Sequence, residues 1–161
     1  MKHIFFCLLI SSLCLFAAVS AADFSLSLES EKDRLAPGES LQITLNTECP
    51  EDYLPYAWIL SFVESDVPKE FVDSLPPERA FSKAAKAEWR YLNYSTTWFA
   101  AEKRDLRQRT IKLVADKNWP LGDYRASIRV LFRKRDKPAT DSDKYVGKPF
   151  SFTLENDENA H

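Results

Sequence analysis

Catalysis of nucleophilic or acid–base type needs an imidazole, a thiol or a matched pair of carboxylates held in register. The chain has two histidines, His3 and His161, one in the N-terminal leader and the other the last residue. A Ser-His-Asp or Cys-His site requires its imidazole within hydrogen-bond reach of the nucleophile, and neither position provides for that. The same shortage argues against zinc or copper, which favour clusters of His and Cys. Cys49 is the single cysteine outside the leader. It therefore has no intrachain partner, and it serves either as a buried small apolar residue or as a thiol for an intermolecular bond. The sequence thus predicts no catalytic residue, no metal and no cofactor.

Carboxylates are plentiful but unpatterned. Glu48, Glu51 and Asp52 cluster in one polar stretch, and Asp141 and Asp143 in another. Neither has the ligand spacing or the glycine of a calcium loop. A second polar stretch carries the opposite charge, through Arg133, Lys134, Arg135 and Lys137. The two stretches either screen one another or form a polar recognition surface. Aromatic residues make up 13% of the chain, and Trp89, Tyr91, Tyr94, Trp98 and Phe99 crowd together. They either fill a core or, with Trp89, Tyr91, Tyr94 and Trp98 aligned, form a platform that stacks on a ligand such as a sugar. Asn93-Tyr94-Ser95 is a glycosylation sequon.

The elements that position these groups follow from periodicity. Met1-Lys2-His3, an apolar run from Ile4 to Val19 and the small residues Ser20-Ala21-Ala22 read as a cleavable signal peptide over residues 1–22. The run is shorter than a spanning helix needs, so the product is expected to be exported, periplasmic or secreted, with no membrane association after cleavage. Its removal leaves 139 of the 161 residues, one domain able to bury a core without staples. Loss of Lys2 moves the net charge from −2 to −3. Charge this close to neutral and interspersed gives no case for nucleic acid.

Alternation with period two marks strands at Phe24–Leu28, Leu41–Leu45, Thr110–Val114, Tyr124–Phe132 and Phe150–Leu154. Tyr56–Val63 is almost wholly apolar, as for a central strand, and Thr96–Phe99 is a short candidate. Ala36-Pro37-Gly38-Glu39 and Trp119-Pro120-Leu121-Gly122-Asp123 read as turns. Between about residues 66 and 92 the pattern changes. Phe81, Ala84, Ala85, Trp89 and Leu92 fall at helical spacing, which predicts an inserted helical segment. A polar tail closes the chain at 156–161. About seven strands separated by turns predict an all-β sandwich occupying residues 23–155.

The segment Trp119-Pro120-Leu121-Gly122-Asp123-Tyr124-Arg125-Ala126 resembles the E–F corner of immunoglobulin-like and fibronectin III-like sandwiches. Trp58 resembles their buried strand-C tryptophan, and Ala36-Pro37-Gly38-Glu39-Ser40 their A–B turn. The likeness spans residues 24–63 and 106–154, lacks the disulfide of antibody domains and leaves the helical segment outside. It implies that Tyr124 folds its hydroxyl onto the preceding turn. It also implies that residues 46–55 and 133–146 share one end of the sandwich. Because such folds host many functions, the expected role is a non-catalytic module that docks a protein partner. A carbohydrate-binding module is the alternative, and a protease inhibitor a weaker one.

Overall fold

The computed structural model describes residues 23–83, 88–135 and 143–156. The leader at 1–22, Lys137, Asp141 and most of the polar tail lie outside the described residues. The fold is mostly β, with two sheets and no closed barrel. The strands are β1 (Ser25–Ser30), β2 (Arg34–Leu35), β3 (Ser40–Glu48), β4 (Tyr53–Val63), β5 (Ser82–Lys83), β6 (Arg90–Trp98), β7 (Gln108–Val114), β8 (Gly122–Lys134) and β9 (Lys144–Leu154). One sheet has the order β1-β3-β7, the other β2-β9-β8-β4-β6-β5. All pairings are antiparallel except β2 with β9.

The core lies between the sheets because each strand turns one alternate set inward. Leu41, Ile43 and Leu45 of β3 and Ile111 and Leu113 of β7 are buried from one side, with Leu60, Phe62, Tyr124, Ala126, Ile128, Val130 and Phe132 from the other. Trp58 is also buried, on central strand β4. Two positive-φ glycines allow the turns, Gly38 at 90° and Gly122 at 138°.

The region from 66 to 92 departs from the sequence expectation. Its helix is α1 (Lys69–Ser74), six residues long, flanked by short 3-10 turns. Where the spacing from Phe81 to Leu92 predicts a helix, the described residues Ser82–Lys83 and Arg90 onward are strand, and Ala84 and Ala85 lie outside the described residues. Tyr, Thr and Trp dominate Tyr91–Trp98 and favour a pleated, half-buried surface. Pairing with β4, from Val63↔Tyr91 to Ala57↔Trp98, supplies the ladder. The short excursion has a packing role. It inserts Phe71, fully buried, against Phe62, Trp119 and Tyr124 at ring separations of 5.5, 5.0 and 5.4 Å.

Two irregularities decide which side chains face outward. In β4 the register shifts between Pro55 and Ala57, leaving Tyr56 as the extra residue opposite β8. In β6 it shifts between Asn93 and Ser95, leaving Tyr94 extra opposite β4. A one-residue insertion reverses the facing of everything beyond it. Leu92 therefore points into the core while Trp98, an even number of residues later, joins the outer face.

Candidate functional site

The register builds a row across the outer face of the six-stranded sheet. Trp98 of β6 pairs with Ala57 of β4, Ala57 with Leu131 of β8, and Leu131 with Tyr145 of β9. Ala57 and Leu131 are buried although they project away from the core, while Trp98 and Tyr145 are 60% and 56% exposed. The two middle residues form an apolar floor flanked by aromatic rings. Three inter-strand spacings separate the outer pair, about 14 Å. The bulged Tyr56 joins them, its ring edge-on to Trp98 at 6.3 Å. The guanidinium of Arg104 lies 3.7 Å and that of Arg133 4.2 Å from the Tyr56 ring centre.

The next row holds Thr96, Ile59, Arg129 and Gly147. Arg129 lies across the sheet. Its stem passes over Gly147, where an added Cβ would stand 3.0 Å from Arg129 Cγ. Its Nη2 donates to Ser61 Oγ at 3.2 Å and to Asn93 Oδ1 at 2.8 Å. The Ser61 hydroxyl also donates to Asn93 Oδ1, at 2.8 Å. Among the described residues Arg129 has no carboxylate partner.

The four aromatics singled out by sequence do not share a surface. Tyr94 packs inward against Phe62 and Trp119, at 5.4 Å from each, and burial pushes its phenol up. Tyr91 is half-buried beside Val63 and Ser82. Trp89 is exposed just before β6. Trp98 stands on the outer face, with partners, Tyr56 and Tyr145, that lie far away in sequence.

The charged end is brought together more fully. Lys134 Nζ meets Asp52 at 3.0 Å, Arg133 meets Asp143 at 2.8 Å, and Arg135 meets Asp105 at 2.8 Å while donating to the Glu51 carbonyl at 2.7 Å. Asp52 holds the Lys134 ammonium above its ordinary value, and Asp143 does the same for Arg133. Glu48 stands apart, accepting from Ser25 Oγ at 3.4 Å. Lys137 lies outside the described residues. Arg133–Asp143 is largely shielded from solvent while the other two pairs are exposed and screened, and together they leave little charge over for a ligand.

Cys49 is buried and free. Its thiol donates to the Tyr53 carbonyl at 3.3 Å and accepts from Arg107. Tyr124 is buried, and its hydroxyl donates to the Pro120 carbonyl at 2.8 Å. Its ring stacks on Trp119 and Phe152. Burial raises its pKa, which keeps the phenol protonated as the donor. Arg109, two residues before Ile111 on the alternating strand β7, faces inward by parity and lies over Phe99 at 4.5 Å. Its Nε and Nη2 are buried without a partner among the described residues, and that burial lowers its pKa.

No family model matches the chain, and no curated protein matches it. Among solved structures it is similar to Spo0M, the sporulation control protein from Bacillus subtilis, at 16% identity and a TM-score of 0.46, covering 86% of this chain. The chain spans about half the length (51%) of that protein. It is also similar, at 11% identity and a TM-score of 0.46, to AvmM, which catalyses macrocyclization in alchivemycin A biosynthesis; the match covers 86% of this chain and 92% of that one.

Proposed function

We propose that this chain is an exported, non-catalytic binding module with an immunoglobulin-like sandwich, and that it docks a protein partner on the outer face of its six-stranded sheet. The leader pattern at 1–22 supports export. The Tyr124–Pro120 hydrogen bond and the buried Trp58 on a central strand support the immunoglobulin-like assignment. The observation that carries the docking reading is the row Trp98, Ala57, Leu131, Tyr145. Its two ends stay exposed, and Arg129 lies in the row beside it. Trp, Tyr and Arg are the residue types that dominate binding energy at protein interfaces. An exposed tryptophan over an apolar floor has little to gain from folding and much from a partner that covers it. Tyr94 packs into the core, which takes one of the four rings away from the sugar-platform alternative.

The test is a photo-crosslinking residue in place of Thr96, which is exposed in the row adjoining Trp98, in protein secreted by its native host. A control carries the same residue at Lys112, exposed on the opposite sheet. A discrete protein adduct is expected from position 96, absent from position 112 and lost when Trp98→Ala is added. No adduct at 96, or one indifferent to Trp98→Ala, overturns the reading.

A further inference from the structure

The outer face has a charge character that the chain as a whole does not. The outward positions of β4, β6, β8 and β9 between the Trp98 row and the Ser61 row carry apolar and neutral side chains, glycine, proline and one cation, Arg129. No carboxylate stands among them, although acids outnumber bases in the sequence, 24 to 22. Three other arginines of this sheet or its end are paired with carboxylates: Arg90 with Glu64, Arg133 with Asp143 and Arg135 with Asp105. Arg129 instead is held by two neutral groups, Ser61 and Asn93, through a single nitrogen. Its Nε and Nη1 make no hydrogen bond among the described residues and are not among the buried orphaned atoms. They therefore reach solvent, one row from Trp98 and Tyr145.

This is a preorganised cation. The stem is seated over Gly147 and one arm of the fork is fixed, so little side-chain entropy remains to be lost on binding. With Nη2 held by Ser61 and Asn93, the solvent-facing Nη1 offers its N–H groups to a carboxylate oxygen in a charge-assisted hydrogen bond. We propose that the partner presents an acidic, aromatic-containing peptide segment to this face, with a Glu or Asp carboxylate on Arg129 and apolar contacts on Trp98 and Tyr145. The inference rests on the docking reading above and adds the chemistry of the occupant. Arg129 is its specificity-determining residue.

The probes are random copolymers of glutamate with tyrosine and of lysine with tyrosine, and polygalacturonate. Each is titrated into the secreted domain while the Trp98 indole N–H is followed by NMR. The glutamate copolymer is expected to shift that resonance saturably, and more weakly as salt rises. The lysine copolymer is expected to leave it in place. Arg129→Gln should weaken binding at least about tenfold, and Arg129→Lys should lose part of it, because an ammonium cannot keep the bonds to Ser61 and Asn93 and reach a ligand carboxylate with a second nitrogen. Unchanged backbone spectra away from the face show that the variants fold. Polygalacturonate binding without glutamate-copolymer binding overturns the proposal in favour of an acidic polysaccharide, and no response to any probe overturns it outright. If Trp98→Ala abolishes copolymer binding and Arg129→Gln leaves it intact, the docking face stands and the carboxylate contact falls. If neither substitution matters, the docking reading falls with it.

Discussion

On the inner face of the six-stranded sheet, Phe62, Phe71, Tyr124 and Phe152 are almost wholly excluded from solvent. Trp119 closes the same cluster, stacked on Tyr124 at 5.5 Å. On the outer face Trp98 and Tyr145 leave more than half of their surface to water, over a floor of two buried aliphatic residues. Strands β4 and β9 supply rings to both regions, Phe62 and Phe152 inside, Tyr56 and Tyr145 outside. Inside, each ring packs against other rings, and the Tyr124 hydroxyl is satisfied by Pro120. Outside, Trp98 has Tyr56 edge-on to it and water over most of the rest. The inner group is built for stability. The outer group is expected to add little to stability, and its exposed surface is the face proposed for docking.

Substitutions break or sharpen that contrast in a graded order. Phe62→Ala removes a ring that touches four other aromatics. It should cost about 3–5 kcal/mol in chemical denaturation, a large part of the 5–15 kcal/mol that holds a typical domain. A loss below ~1 kcal/mol would show that the inner cluster is not a packed core. Tyr124→Phe keeps the ring and removes the donor to Pro120, leaving a carbonyl without its partner. The expected loss is ~1 kcal/mol or more, with no change in binding. A mutant as stable as the parent would remove the corner as a structural device.

Trp98→Ala should shift the denaturation midpoint by no more than ~1 kcal/mol equivalent, as for exposed positions generally. A loss on the scale of Phe62→Ala would mean that the outer row belongs to the stability core after all, and the contrast would collapse. The smallest effect belongs to neither face. Glu39 accepts from Lys32 Nζ at 2.8 Å and from the Ala36 amide at 2.9 Å. The Lys32 hydrogen bond, then the Ala36 one, hold its carboxyl below the ordinary glutamate value. A pKa lowered by folding contributes stability above the unfolded-state value, and that contribution is lost as pH falls through the folded one. Glu39→Gln should therefore lower stability slightly at neutral pH and flatten its acid-side slope. An unaltered slope between parent and mutant would show that this turn carries no pH-dependent contact.

Much of the inner face is legible in the residues. The set Tyr124, Ala126, Ile128, Val130 and Phe132 alternates without interruption, and all five are buried. The turn at 119–123 is likewise marked by Pro120 and Gly122. The charged end was readable as two polar stretches of opposite sign, and Asp52 and Lys134 do meet. The outer face was not readable. Tyr145 and Leu131 gave no signal, since one lies at the end of a polar stretch and the other is a single apolar residue at an outward position of β8. The helical spacing of Phe81, Trp89 and Leu92 pointed the wrong way, because short windows of apolar residues fit two periods at once.

The sequence by itself determined which set of the regular strands β3, β7 and β8 is apolar. It also determined that Cys49 has no partner outside the leader. Only the tertiary structure decided that Tyr56 and Tyr94 would be the extra residues in their strands. A bulge is a property of the pair of strands, set by which neighbour supplies the ladder, and neither tyrosine carries a local mark of it. Because facing has period two, each insertion reverses everything beyond it. That reversal sends Trp98 outward to the row of Ala57, Leu131 and Tyr145, and the face proposed for docking exists through that reversal.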